Sequence, residues 1–192
     1  MTTLFQPDYL GLWENSLAQF RDRVAAGSPT PGGAAVAAVS ATFAAALLQM
    51  VCAISAKRNP ETIKAIVANV KSIEEELGRY ADEDIRAFDR YMAAKKVRNE
   101  CSARDAHQCL LECTEVPLAA AEVVAKLEAY ATAMIPETPE FLESELATAR
   151  LLLGASREAL LASVKANLKG LETGEAKNAI VRRLNALPGE SG

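Results

Sequence analysis

Apolar residues recur along the chain at the three- and four-residue spacing of amphipathic helices, and no segment alternates as a strand would. This pattern predicts an all-α protein. The connections are short, so we expect one domain over residues 1–192, a multi-helix up-and-down bundle around a buried Ala-rich central helix. The expected helices cover about 9–26, 31–56, 60–96, 103–133, 139–168 and 174–187.

Proline marks three of the six expected helix starts. In three places a residue able to cap a helix precedes a proline suited to the first helical position, at Thr30–Pro31, Asn59–Pro60 and Thr138–Pro139. Gly78 is expected to weaken the third helix locally, because glycine has a low helix propensity. Pro117 lies inside the fourth helix, which we expect to be kinked or interrupted there.

The second helix carries no charge between residues 32 and 56 and is long enough to cross a bilayer. It is mostly alanine and includes Ser40, Thr42 and Gln49, which is unlike a membrane helix. The other helices are amphipathic and need an apolar partner to cover. We therefore expect the second helix to be buried on all sides, with no membrane as partner.

Small residues repeat every four positions along the second helix, at Gly33, Ala37, Ala41 and Ala45. Such a ridge lets another helix approach closely. Two interpretations stay open: the ridge is ordinary alanine-rich core, or it meets its own copy in a second chain and forms a homodimer.

Composition narrows the class of partner and the compartment. A charged fraction of 24% with a net charge of −4 argues against disorder and against nucleic acid as the main partner. The first residues lack the pattern of a secretory signal, so we expect a cytoplasmic protein with free thiols. Cys101, His107, Cys109 and Cys113 fit no familiar zinc spacing, and we expect no metal and no cofactor.

The segment before the second helix is the first candidate site. Two prolines stiffen residues 28–31, and Gly32 and Gly33 then remove side chains from the first turn. Free backbone N–H groups at the positive end of a long helix would suit a carboxylate or phosphate. The alternative is close packing of this backbone against a neighbouring helix.

Asp84 is the second candidate, because it lies on the apolar stripe of the third helix beside Ile85 and Phe88. Burial there would raise its pKa, as suits an acid or base working near neutral pH. Lys95 lies three turns further along the same face, about 16 Å away, so the two could flank one ligand. The alternative is a solvated charge at the margin of the stripe.

Three more charged residues have two interpretations each. Lys57 and Arg58 end the second helix, where they complement its dipole or recognise an anionic ligand. Glu145 is a further inward carboxylate or an acid of a helix's first turn.

Four segments occur in order over nearly the whole chain: SPTPGGAAVAA at 28–38, DEDIRAF at 82–88, TEVPL at 114–118 and VKANLKGL at 164–171. Together they resemble the cyclodeaminase/cyclohydrolase family, which includes the C-terminal domain of formiminotransferase-cyclodeaminase and free-standing methenyltetrahydrofolate cyclohydrolases. The chain departs from the family pattern at Ala34 and Ala35, which replace a glycine and a serine, and at Glu145, which replaces an aspartate. Its lysine-rich segment is shortened to Lys57 and Arg58.

The resemblance implies a dimeric helical enzyme that acts on a tetrahydrofolate derivative. Hydrolysis of 5,10-methenyltetrahydrofolate to 10-formyltetrahydrofolate is expected first, because nothing in these residues would make the formimino substrate of a cyclodeaminase. A folate- or anion-binding scaffold without turnover is the alternative of another class. The implied catalytic residues are Asp84, Lys95 and Glu145, and the implied substrate-binding residues are Thr30, Pro31, Gly32, Gly33, Lys57 and Arg58.

Overall fold

The computed structural model describes residues 11–97 and 100–188, without the side chains of residues 100–103. Six α-helices cover most of these residues, and no strand occurs among them, which confirms the all-α prediction. The helices are α1 (Leu17–Ala25), α2 (Gly33–Ser55), α3 (Pro60–Lys96), α4 (Glu100–Ala133), α5 (Glu143–Leu168) and α6 (Glu175–Ala186).

The four long helices form a ring in which each contacts two main neighbours. Helix α2 packs against α3 and α5, and α4 packs against the same two helices from the other side. Short connections make α2 to α5 successively antiparallel. Helix α6 docks on α4 through Arg183, whose guanidinium pairs with Glu122 at 2.8 Å and also with Glu115.

The small-residue ridge of α2 faces the interior of its own chain. Ala37, Ala41 and Ala45 belong to the main hydrophobic core, together with Leu127 of α4 and Leu153 of α5. These alanines let neighbouring helices approach α2 closely. The three alanines of the ridge are therefore core, which excludes the open interpretation that they meet a second chain, while Gly33 at the start of the ridge is exposed.

Helix α2 is not buried on all sides, contrary to the sequence prediction. It occupies one corner of the ring, so one face lacks a neighbouring helix. That face carries the α2 stripe, defined as Val36, Ser40, Phe43, Leu47, Met50 and Ile54; Phe43 and Ile54 are about half exposed. Within the described residues α2 is the one helix long and apolar enough to cross a membrane, but 56% of its most apolar window is buried in the bundle.

The N-terminal region departs from the predicted helix over 9–26, whose first two residues lie outside the described range. A 3-10 turn at Leu12–Glu14 precedes α1, and Ser16 starts α1 with a capping box closed by Gln19. Helix α1 buries no residue; Leu17 is 70% exposed. The Ser-x-x-Gln spacing of Ser16 and Gln19 is the sequence pattern of a capping box, and it indicates that a new helix starts there.

Helix α3 runs unbroken through Gly78, where the Trp13 ring lies against it. The Trp13 Nε1–H donates to the Gly78 carbonyl oxygen at 3.0 Å. A Cβ at position 78 would lie 3.2 Å from that nitrogen. Gly78 is therefore a point of close approach for the N-terminal segment.

Two of the predicted caps have other roles. Helix α2 starts at Gly33 with Gly32 as N-cap, so Thr30 is not its cap. The Thr138 hydroxyl donates to the Met134 carbonyl at the end of α4, and a 3-10 turn precedes α5. Helix α4 is continuous through Pro117 rather than interrupted.

Candidate functional site

Asp84 lies on the buried stripe of α3, as predicted, directly below the first turn of α2. The backbone N–H of Ala35 donates a hydrogen bond to its carboxylate. Burial raises the pKa of Asp84 to about 6, and the hydrogen bond from Ala35 offsets only part of that rise. The side chain keeps partial exposure, so a ligand can reach a carboxyl group that titrates near neutral pH.

The N-terminus of α2, where the sequence predicts binding of an anion, thus faces the carboxylate of Asp84 in the same chain. Pro31 is buried, and the Thr30 hydroxyl donates to Asp89 Oδ1 at 3.2 Å, which ties the preceding loop to α3. A Cβ at Gly33 would meet no atom within 4 Å, whereas one at Gly32 would lie 3.2 Å from the Pro29 carbonyl oxygen. Gly33 therefore leaves an open approach to the helix start above Asp84.

Helix α4 supplies the third wall of the site through Cys113, which is buried. Burial, and then the nearby charge of Asp84, raises the pKa of the Cys113 thiol to about 12. This thiol stays protonated at neutral pH and is not a nucleophile. Outside it, Arg90 of α3 pairs with Glu112 of α4 at 2.7 Å and joins the two helices.

Aromatic side chains line α3 beyond Asp84. The rings of Phe88 and Tyr91 meet edge to face with centroids 6.2 Å apart. The exposed Lys95 Nζ lies 5.3 Å from the Tyr91 ring centroid. A carboxyl group, an aromatic wall and a cation thus follow one another along about 16 Å of helix.

The structure places the other predicted residues at the far end of the bundle. Lys57 follows the end of α2, 24 residues from Gly33, which corresponds to roughly 36 Å of helix. Arg58 is its exposed neighbour. Glu145 lies in the first turn of α5, after the loop whose Glu137 accepts a hydrogen bond from Asn59. One chain therefore does not bring these three charges to Asp84.

Two surface clefts lie elsewhere on the described part of the chain. One of about 440 Å³ runs between α2 and α3 beneath Trp13, and one of about 660 Å³ lies between α4 and α5 beside Arg157. Asp84 lines neither cleft. The buried, titratable carboxyl group at the α2 start remains the stronger candidate for chemistry.

Sequence reasoning missed three residues of this region: Asp89, Cys113 and Asn167. Asp89 is exposed on α3, yet its carboxylate accepts the hydrogen bond that holds Thr30. Cys113 follows Cys109 by one helical turn, which looked like an ordinary thiol-bearing face. The Asn167 amide donates to the Cys113 carbonyl oxygen at 2.8 Å, a contact across 54 residues that no local pattern indicates.

The arrangement can hold a cation against the Asp84 carboxylate and exchange a proton with it. Comparisons with known proteins identify the family of the whole chain. Residues 16–186 match the family model described as formiminotransferase-cyclodeaminase. The chain is 29% identical to the methenyltetrahydrofolate cyclohydrolase of Methylorubrum extorquens, over 92% of this chain and 90% of that protein. It is similar to the crystal structure of formiminotetrahydrofolate cyclodeaminase from Thermotoga maritima, with a TM-score of 0.83 and 27% identity, over 91% of this chain and 88% of that one.

Proposed function

Because the chain belongs to the formiminotransferase-cyclodeaminase family, we propose that it is a folate enzyme and that it hydrolyses 5,10-methenyltetrahydrofolate to 10-formyltetrahydrofolate. The observation that carries this proposal is the Asp84 carboxyl group, buried under the α2 start with its pKa raised to about 6. The similarity to a methenyltetrahydrofolate cyclohydrolase over nine-tenths of both chains supports it.

The proposed reaction needs one group that first accepts and then donates a proton. Water attacks the carbon of the cationic N5–C–N10 bridge, and the Asp84 carboxylate takes a proton from that water. The tetrahedral intermediate then breaks its C–N5 bond as the protonated Asp84 delivers a proton to N5. Loss of the hydroxyl proton to solvent leaves the formyl group on N10 and the Asp84 carboxylate restored.

Substrate binding uses the same wall of the site. The cationic bridge meets the charge of Asp84 beside the open start of α2 at Gly33. The rings lie along Phe88 and Tyr91, and the anionic glutamate tail extends toward Lys95. In the proposed reaction, water is the nucleophile and the Asp84 side chain carries the proton.

A homodimer built on the α2 stripe would bring the remaining cations to the site. The stripe is apolar and open, and its middle is level with Ala45. A two-fold axis there sets the two α2 helices antiparallel, with each Gly33 beside the partner's Lys57. The cationic end of one helix then meets the acidic α3 segment around Asp84 of the other chain. In this arrangement Lys57 and Arg58 contact the substrate bound by the partner.

The second candidate is formiminotetrahydrofolate cyclodeaminase, which the structural similarity to the Thermotoga maritima enzyme favours. There N10 attacks the formimino carbon on N5, and ammonia leaves after its nitrogen is protonated. The same carboxyl group would serve as the acid. The two candidates differ in substrate and not in the residue at the centre.

Parallel assays distinguish them. We expect loss of methenyltetrahydrofolate absorbance above the protein-free rate, and no ammonia release from formiminotetrahydrofolate. Asp84→Asn should lower turnover at least about a hundredfold, since it removes the proton carrier while keeping the shape. The exposed neighbour Glu83→Gln is the matched control and should retain turnover. Similar small effects at both positions would remove Asp84 from the mechanism.

A further inference from the structure

Helix α4 contains a backbone acceptor that the helix itself cannot satisfy. In an α-helix, each carbonyl oxygen accepts from the N–H four residues later. The residue four positions after Cys113 is Pro117, which has no N–H. The helix nevertheless continues without a break, and both residues are buried. A carbonyl group left without a donor there would be costly.

The end of α5 supplies the missing donor. The Asn167 side-chain amide donates to the Cys113 carbonyl oxygen at 2.8 Å. The two helices approach closely at this level, because a Cβ at Gly170 would lie 2.9 Å from Leu110 Cδ2. The bond therefore joins α4, at the residue directly before the TEVPL segment, to the last turn of α5.

The residue that is held in this way forms a wall of the site. The Cys113 side chain packs in one hydrophobic cluster with Ala87 of α3, against which Phe88 also packs, and the charge of nearby Asp84 raises the pKa of its thiol. A shift of Cys113 changes the space available beside the Asp84 carboxyl group. Misplacement of a reacting group by about 1 Å costs on the order of a hundredfold in rate.

We infer that Asn167 is a positioning residue: by filling the hydrogen bond that Pro117 leaves open, it fixes Cys113 against Asp84. The effect on turnover rests on the proposed folate chemistry, whereas the effect on Cys113 does not. Asn167 touches no reacting atom in this assignment. It acts through the α4 backbone, so it should govern kcat and leave KM nearly unchanged.

A double-mutant cycle tests the inference. Asn167→Leu removes the donor and keeps the size, and Pro117→Ala restores a backbone N–H to the Cys113 carbonyl oxygen. We expect Asn167→Leu to lower kcat at least about tenfold with KM within about twofold. Adding Pro117→Ala should return most of the lost kcat. Asn69→Leu, at an exposed position of α3, is the matched control.

Labelling with N-ethylmaleimide, read by peptide mass spectrometry, follows Cys113 without any activity. Asn167→Leu should speed labelling of Cys113 at least about tenfold, and Pro117→Ala should reverse this. Buried Cys52 of α2 reports global unfolding and should be unaffected. Equal gains at Cys52 and Cys113, or no rescue by Pro117→Ala, would overturn the inference. The expected labelling pattern in a protein that turns over neither folate would sink the proposed function alone.

Discussion

The carboxyl group of Asp84 is subject to two opposing influences within a few ångströms. Burial disfavours its charged form, while the Ala35 N–H at the positive end of α2 favours that form. Burial dominates, and the pKa rises from 3.8 to about 6. A proton carrier near neutrality thus needs no histidine here.

This raised pKa makes a prediction about stability. The folded protein holds the Asp84 proton more tightly than the unfolded chain, so the contribution favours folding below about pH 4 and is lost as pH rises through about 6. Asp84→Asn should therefore unfold with a free energy that exceeds the parent's by about 1–3 kcal/mol at pH 7, and the excess should shrink toward pH 4. Urea titrations between pH 4 and 8 measure it. A constant difference across that range would contradict the assigned pKa.

Residue-scale prediction from sequence worked where the information was local. Asp84 was found because helical spacing places it on the apolar stripe of one helix. The positions of Cys113 and Asn167 beside the site were not predicted, since they depend on contacts between α3, α4 and α5. Helical periodicity fixes the face of a residue but not the partner opposite it.

At the scale of the element, the two glycines at the start of α2 differ in the space around them. Gly33 could carry a side chain without a clash, so packing does not require a glycine there, and under the proposed function the bare position leaves room for a ligand to approach. Gly32 differs, because a Cβ there would press on the Pro29 carbonyl.

Substitutions at position 33 can therefore change ligand binding without weakening the fold. We expect Gly33→Ala to keep the parent's free energy of unfolding or to raise it by up to about 1 kcal/mol, since alanine favours a helix. Gly33→Val should fold but bind folate at least about tenfold more weakly, because its branched side chain covers the approach to Asp84. Calorimetric titration with a non-reactive folate analogue measures this. Normal binding by Gly33→Val would place the ligand elsewhere.

The long helices were predicted well, and their caps were predicted only in part. Apolar periodicity predicted α3 over its full length and α2 to within one residue of its end. Asn59 is the N-cap residue of α3 as predicted, although its amide donates to Glu137, whereas Thr30 is not the cap of α2 and donates its hydroxyl to Asp89. Tertiary partners compete for the groups that a local pattern assigns to the cap.

At the scale of the whole molecule, α2 buries its alanine ridge together with Leu48 and Val51, and it exposes a second apolar face that carries Phe43, Met50 and Ile54. Sequence alone could not decide which face meets a second chain, because both faces are apolar. The structure assigns the ridge to the core and leaves the α2 stripe open. That stripe is the surface on which the proposed dimer depends.

A charge on the stripe should separate the chains. We expect the parent to have twice the 20.5 kDa chain mass in light scattering, and Phe43→Glu to have the monomer mass with unchanged helix content. Turnover should fall with the dimer, because each site loses the partner's Lys57. Leu151→Glu, at a 74% exposed position on α5, is the control and should stay dimeric. A Phe43→Glu dimer with full activity would exclude the α2 interface.

Trp13 gives the molecule an optical signal of its own. It is the single tryptophan of the chain, its indole lies on α3 at Gly78, and it is about half exposed. Release of the N-terminal segment would move this fluorophore fully into water while α2 to α5 stay packed. The wavelength of maximum Trp13 emission therefore reports detachment of residues 11–15. The far-ultraviolet ellipticity separately reports loss of the helical bundle.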